Sequence, residues 1–313
     1  MIKIICGDCL EIMRTLKSET VNCCITSPPY YGLRDYGVEG QIGLEKTLDE
    51  YVTRLVEVFR EVRRVLCKDG TLWLNLGDSY AGCRTGADRP PELGHTREDN
   101  GRKKTGKENK HIRPNAVGGL IKPKDLIGIP WRVVFALQSD GWYLRQDIIW
   151  HKPNPMPESV KDRCTKAHEY IFLLSKSKRY FFDSEAIKEK SRTMGKSTVR
   201  DRYNSKLNRV PGRRKMNGLK IDNYPKANKR SVWTISTQPF PGNHFAVFPE
   251  RLVETCLLAG CPEGGTALDP FLGSGTTLVV AVKNRRGGIG IELNDEYVKI
   301  AYKRLDGVQV KML

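Results

Sequence analysis

Hydrophobic positions along this chain follow two periods. Short apolar runs, rich in β-branched residues and bounded by Gly, Pro or Asp, predict strands buried on both faces of a sheet. They cover residues 2–5, 21–25, 71–78, 142–150, 168–175, 232–235, 266–269 and 288–292, with Tyr180-Phe181-Phe182 as an edge strand. Between them, apolar residues recur at helical spacing. The helical sets are Leu10, Ile12, Met13 and Leu16; Leu48, Tyr51, Leu55, Val58, Phe59, Val62 and Leu66; Leu126, Ile129, Val133, Val134 and Leu137; Leu252, Val253, Cys256 and Leu257; and the stretches 278–282 and 296–305. Asp69-Gly70 is placed to end the second helix, and Pro249 to stand in the first turn of the fourth. Strands alternating with helices over 313 residues predict an α/β architecture with a substantial core.

Two stretches interrupt this pattern. From about 79 to 119, Gly, Arg, Lys, Asn and His replace the apolar periodicity, which predicts a mobile basic insertion. Between Ala186 and Ser231, fifteen Lys and Arg stand against three acids with no clear apolar face, so this block carries most of the formal net charge of +17. A solubilising charge would be spread out; a concentrated one is a footprint for phosphates or, failing that, a disordered basic tail. The domain reading is therefore 1–185, with the insertion inside it, then a basic region 186–231, then 232–313.

Nine cysteines, an odd number scattered among apolar runs, suit reduced thiols in a cytoplasmic protein. Cys6-Gly7-Asp8-Cys9 has metal-ligand spacing, but no second pair completes a tetrahedral site, so no metal is expected. The absence of a long apolar run or a basic-then-apolar leader predicts no membrane association.

Chemistry concentrates where the second strand ends, at Thr26-Ser27-Pro28-Pro29-Tyr30. Each proline fixes φ and removes an amide donor, and Pro29 holds Pro28 extended, so the Pro28 carbonyl is stiff and in need of a donor. A planar amino group offers two donors, one for Ser27 and one for that carbonyl, while Tyr30 or Tyr31 covers the face of the attached ring. The plainer reading is a strand followed by a Pro-Pro turn with a packing tyrosine. Far downstream, Asp269-Pro270-Phe271-Leu272-Gly273-Ser274-Gly275-Thr276 runs from a strand through a glycine turn into a helix, letting backbone approach a ligand. About seventeen residues beyond Gly275 a further strand ends in Glu292, an acid placed to take two ribose hydroxyls.

Together these stretches resemble the β-class DNA amino-methyltransferases, in which the catalytic motif precedes the cofactor motif. The resemblance spans most of the chain and implies a mostly parallel, Rossmann-like sheet with helices on both faces and an inserted target-recognition region. It further implies S-adenosylmethionine as methyl donor and double-stranded DNA as partner, with a flipped base methylated by direct in-line transfer. Carried over residue by residue, Ser27, Pro28, Pro29 and Tyr30 are the catalytic set. Asp269, Pro270, Phe271, Gly273, Gly275, Thr276 and Glu292 are the cofactor set, joined by Asp8, which is otherwise a plain helix N-cap. Arg34, Lys152, Arg200, Arg202, Arg213 and Arg214 are candidate nucleic-acid contacts, and Asn154 lies in the same Pro-rich run as Lys152. Serine rather than aspartate at position 27 resembles the cytosine-N4 members more than the adenine-N6 ones, and both bases stay open. An RNA methyltransferase and a catalytically idle nucleic-acid-binding protein remain the rivals. A cognate restriction endonuclease sharing the DNA site is compatible with this reading, as are a monomer and a homodimer.

Overall fold

The computed structural model describes residues 1–33, 36–81, 121–122, 124–191, 225–237 and 249–308. The chain divides into two compact units, Met1–Phe182 with Ser231–Leu313, and Asp183–Arg230. In the second, β6 (Glu189–Lys190) pairs antiparallel with β7 (Lys226–Ala227), and Arg230 and Glu189 form an ion pair at 2.5 Å.

The first unit is built on an eight-stranded sheet. Its strands are β1 (Ile2–Cys6), β2 (Val21–Thr26), β3 (Leu66–Leu76), β4 (Tyr143–His151), β5 (His168–Ser175), β8 (Val232–Thr234), β9 (Thr266–Asp269) and β10 (Gly287–Glu292). Their order is β1-β10-β9-β2-β3-β5-β4-β8, and β5 alone runs antiparallel to its neighbours. β2 and β3 occupy the middle, with Val21, Cys23, Cys24, Ile25, Leu72, Trp73 and Leu74 all buried. This is the composition of strands covered on both faces. The helices are α1 (Cys9–Thr15), α2 (Leu48–Val65), α3 (Ile129–Ser139), α4 (Glu250–Gly260), α5 (Thr276–Lys283) and α6 (Asp295–Asp306). α2 is fixed at its start by a capping box of Thr47 and Glu50, and buries Tyr51, Leu55, Val58, Phe59 and Val62 along one face.

Four sequence expectations change. α2 ends at Val65 and β3 begins at once at Leu66, ahead of Asp69-Gly70. Val21 pairs with Leu66 but Cys23 with Thr71, so the polar residues between bulge from the strand rather than cap the helix. Leu126 lies before α3, exposed, in a bridge to Tyr80; the helix starts at Ile129 because the Asp78 carboxylate accepts from Gly128 N and Ile129 N at 3.0 Å. Residues 180–182 form no strand: Phe181 N donates to Asp69 O at 2.9 Å while the Phe182 ring stacks 6.3 Å from that of Trp73. Pro249 is the N-cap of α4 rather than a residue of its first turn. The insertion expected at 79–119 lies outside the described residues beyond Ala81, as do 192–224 of the basic block.

Candidate active site

Four parallel strands end side by side, and their exits bring together segments far apart in sequence. In sheet order the exits carry Asp8 (β1), Glu292 (β10), the 269–275 turn (β9) and Ser27 to Tyr30 (β2). Hydrogen bonds tie each to the next. Gly7 N donates to Glu292 O at 2.9 Å, Gly273 N to Glu292 Oε2 at 2.7 Å, and Thr26 Oγ1 to Asp269 Oδ1 at 2.7 Å. The carboxyl ends of parallel strands are where open α/β sheets bind ligands.

The β9 turn is organised from inside. Asp269 is buried, and its carboxylate accepts from Thr26, from Phe271 N at 3.1 Å and from Thr277 Oγ1 at 2.6 Å. Burial raises its pKa to about 6, and those three donors oppose the rise. Pro270 is buried and Phe271 half-buried. Gly275, at φ 88°, is the N-cap of α5 without any side-chain cap, which leaves the first amides of that helix facing out of the turn. A side chain here would also strike α6, since an added Cβ would lie 2.8 Å from Ala301 Cβ. Thr276 is turned the other way: its hydroxyl accepts from Arg304 at 2.9 Å and is buried.

Glu292 accepts one backbone N–H on each carboxylate oxygen, from Gly273 and from Asn294 at 2.9 Å. The Leu293 amide also bears on the carboxylate, whose oxygens retain acceptor capacity for a vicinal diol. Burial pushes its pKa up. Asp8 caps α1, its Oδ1 accepting from Leu10 N at 2.9 Å and Glu11 N at 3.0 Å, with Arg54 3.7 Å from Oδ2. Beside it lies an open cleft of about 660 Å³ with a mostly charged lining that includes Asp8, Glu11, Arg14, Arg54, Glu57 and Leu293. A diol acceptor, uncapped helix amides and two left-handed glycines at neighbouring strand exits fit an adenosine-bearing cofactor.

At the β2 exit, Pro28 is buried and Ser27, Pro29 and Tyr30 are half-buried. Tyr51 donates to the Pro29 carbonyl at 2.9 Å, whereas no described group donates to that of Pro28. Tyr31 is buried against Tyr51, ring centroids 5.3 Å apart, and so belongs to the core; Tyr30 is the ring left beside Ser27. The Tyr30 ring lies against Gly77, where even a methyl group would come within 2.5 Å of Cε2. Its hydroxyl reaches Glu169 Oε2 at 2.9 Å and Asn75 Oδ1 at 3.2 Å, and Ser27 Oγ donates to it at 3.4 Å. Asn75 Nδ2 donates to Glu169 and, at 2.9 Å, to Tyr170 O, and the Lys152 ammonium closes the cluster on Glu169 Oε1.

Lys152 is thus paired with a carboxylate and lies 4.3 Å from the Trp150 ring centroid, while Asn154 exchanges bonds with the Thr237 backbone. Arg34, Arg200, Arg202, Arg213 and Arg214 lie outside the described residues. Sequence reading missed Asn75, Gly77 and Glu169. Its available signals were an amide and a glycine closing an apolar strand, and an acid opening another. Among the described residues no group of His, Cys, Asp and Glu could hold a metal ion, and no helix is long and apolar enough to cross a membrane.

A family model described as DNA methylase, of the N6/N4 type, matches residues 21–303. The Type II methyltransferase M.SmaI of Serratia marcescens is 49% identical over 303 residues, covering 97% of this chain and 90% of the relative. Among solved structures, the PvuII DNA methyltransferase (cytosine-N4-specific) superposes with a TM-score of 0.63 at 18% identity, covering 98% of this chain and 87% of that one. A Thermus thermophilus protein, a putative DNA modification methylase complexed with S-adenosyl-L-methionine, gives 0.60 at 20% identity, covering 100% and 98%.

Proposed function

The chain belongs to the N6/N4 DNA methylase family, which is S-adenosylmethionine-dependent, and from that premise we propose that it methylates the exocyclic N4 amine of cytosine in duplex DNA as a Type II modification enzyme. The observation that carries the choice of amine chemistry is the β2 exit. There a serine hydroxyl and the Pro28 carbonyl, to which no described group donates, stand next to a tyrosine ring, at the edge of the turn tied to Glu292.

S-adenosylmethionine, when bound, supplies an electrophilic methyl group on sulfonium. In this reading Glu292 holds the ribose diol, Asp8 stands at the adenine end, and the 269–275 turn with the α5 amides takes the remainder. The chain's own residues position the acceptor. Ser27 Oγ and the Pro28 carbonyl each accept one N–H of the amine, which orients the nitrogen lone pair towards the cofactor side. Tyr30 stacks on the base. Stacked in a duplex, the base cannot reach this recess, so it is flipped out at a cost of a few kcal/mol. The basic block between Ala186 and Ser231 would dock on backbone phosphates, and with Arg34 supplies the contacts that hold the duplex.

Serine at position 27 supports cytosine. It resembles the cytosine-N4 members more than the adenine-N6 ones, and the likeness to the PvuII enzyme points the same way, while the amines of the two bases are chemically alike. The test is methylation of mixed-sequence duplex DNA followed by nucleoside digestion and mass spectrometry. N4-methylcytosine is expected. N6-methyladenine would overturn the base assignment, and no methylated nucleoside would overturn the functional reading.

A further inference from the structure

Glu169 lies outside the motif at the β2 exit, yet it ends a hydrogen-bond path that begins there. Ser27 Oγ donates to the Tyr30 hydroxyl, and Tyr30 donates onward to Glu169 Oε2. Tyr30 has a single proton to give. The nearer and charged oxygen of Glu169 takes it in preference to Asn75 Oδ1. Every donor on the path points the same way, from the proposed amine site towards the carboxylate.

The proposed reaction, on which this inference rests, leaves a proton to dispose of. As the N–C bond forms, the donor's S–C bond breaks with its electron pair staying on sulfur, and the nitrogen must lose one proton to become a neutral amine. Ser27 and the Pro28 carbonyl cannot keep it, because a protonated hydroxyl or amide is a strong acid. The Asn75 amide cannot either. We propose that Glu169 is the terminal acceptor of the amine proton, reached through Ser27 and Tyr30. The amine proton goes to Ser27 Oγ, the serine proton to the Tyr30 oxygen, and the tyrosine proton to Glu169 Oε2. Ser27 and Tyr30 end as they began, and one carboxylate becomes a carboxyl group.

The surroundings suit each role. Burial first, and then the charge of Glu169, push the Tyr30 phenol well above its ordinary value, so it passes a proton on and does not store charge. Glu169 faces the Lys152 ammonium at Oε1, with Tyr30 and Asn75 at Oε2. Lys166 and His168 also lie within its electrostatic reach, Asp78 and Glu158 act on Lys166, and His151 acts on His168. The Lys152 ammonium occupies Oε1 and leaves Oε2 to Tyr30 and Asn75. A side chain 17% exposed can then return the proton to water. The Ser27–Tyr30 step, at 3.4 Å, is long, as catalytic hydrogen bonds often are before substrate is seated.

Glu169→Gln keeps an oxygen for Tyr30 but cannot take up a proton; because its NH₂ then faces the Lys152 ammonium, the pH profile rather than the rate alone separates the relay from mere support. Single-turnover methylation of duplex DNA at saturating S-adenosylmethionine is measured across about pH 5 to 9. We expect the rate to fall ~10²-fold and the acid limb of the wild-type profile to vanish, with cofactor affinity by calorimetry unchanged. Tyr30→Phe, which cuts the same path, should lose the acid limb too. An independent readout needs no turnover: infrared titration of the Glu169 carboxyl, identified by its loss in Glu169→Gln, should shift to higher pH in Tyr30→Phe. Glu169→Gln turning over at the wild-type rate with its acid limb intact would overturn the relay while leaving the functional reading in place. An infrared titration unmoved by Tyr30→Phe would overturn it as well. Failure of the wild-type protein to methylate DNA would instead sink the functional reading, and the infrared result would still report on the Tyr30–Glu169 contact.

Discussion

Gly77→Ala perturbs the proposed target pocket without replacing any group that would meet a ligand. Gly77 closes the β3 exit, and its φ is not in the left-handed region, so alanine's backbone is tolerated. Space decides the outcome. The added Cβ would stand 2.5 Å from Tyr30 Cε2 and 3.2 Å from Cδ2 and Cζ, against a comfortable carbon separation of about 3.5–4.0 Å. The ring must therefore retreat by roughly 1 Å, which strains the 2.9 Å bond to Glu169 and shifts the stacking face beside Ser27. Overpacking of this kind costs about 1–3 kcal/mol, and a misplacement of about 1 Å at a reacting centre lowers turnover by about 10²-fold. Urea unfolding should show the lower midpoint, single-turnover assays the slower rate, and calorimetry an unchanged cofactor affinity. A double-mutant cycle assigns the cause: in a Tyr30→Ala background the alanine at 77 meets no ring, so its stability cost should disappear. The same cost in both backgrounds would refute the steric argument, as would wild-type turnover by Gly77→Ala.

Two further outcomes follow from the buried carboxylates. Glu292→Gln cannot accept from both Gly273 N and Asn294 N, since one position becomes an NH₂ facing a donor; cofactor affinity by calorimetry should drop about 10- to 100-fold, and a change within twofold would contradict the role given to Glu292. Asp269, raised to about 6, holds a proton in the folded protein that the unfolded chain releases from about pH 4 upward. Its contribution is therefore most favourable below about pH 4 and is lost as pH rises through about 6, a penalty on the order of 3 kcal/mol. Asp269→Asn keeps partners for Thr26, Thr277 and Phe271 N but cannot ionise, so between about pH 4.5 and 7 the wild type should lose roughly 2 kcal/mol relative to it in urea melts. A constant difference across that range would show that burial does not control Asp269.

The elements that were legible in sequence are those whose own composition specifies them. Val21 to Ile25 can only be a strand buried on both faces, and two prolines after Ser27 can only end it. The glycines at 273 and 275 declare a turn that L-residues with side chains avoid, and both have positive φ. Glu292 was visible because its spacing from that turn is set within one strand-helix-strand unit. What was hidden depends on pairing across the sheet. Glu169 meets Tyr30 over a separation of 139 residues because β5 enters antiparallel beside β3, and no local periodicity encodes that orientation. Residues 180–182 have the composition of an edge strand, yet Phe182 serves as a cover for Trp73. Asp69-Gly70 looked like a helix stop, but the α2 terminus is set by Leu66, whose N–H returns to Val62 O while its backbone is already extended.

The central claim is that chemistry occurs at the β2 exit while the neighbouring exits hold the cofactor, and Ser27→Ala measures it most directly. Cofactor affinity is read by calorimetry, and the methylation rate of duplex DNA by single turnover at saturating cofactor. Wild-type affinity is expected with a rate reduced by about 10²-fold or more, because an acceptor that orients the amine is removed. A variant that binds cofactor poorly yet turns over normally once saturated would contradict it.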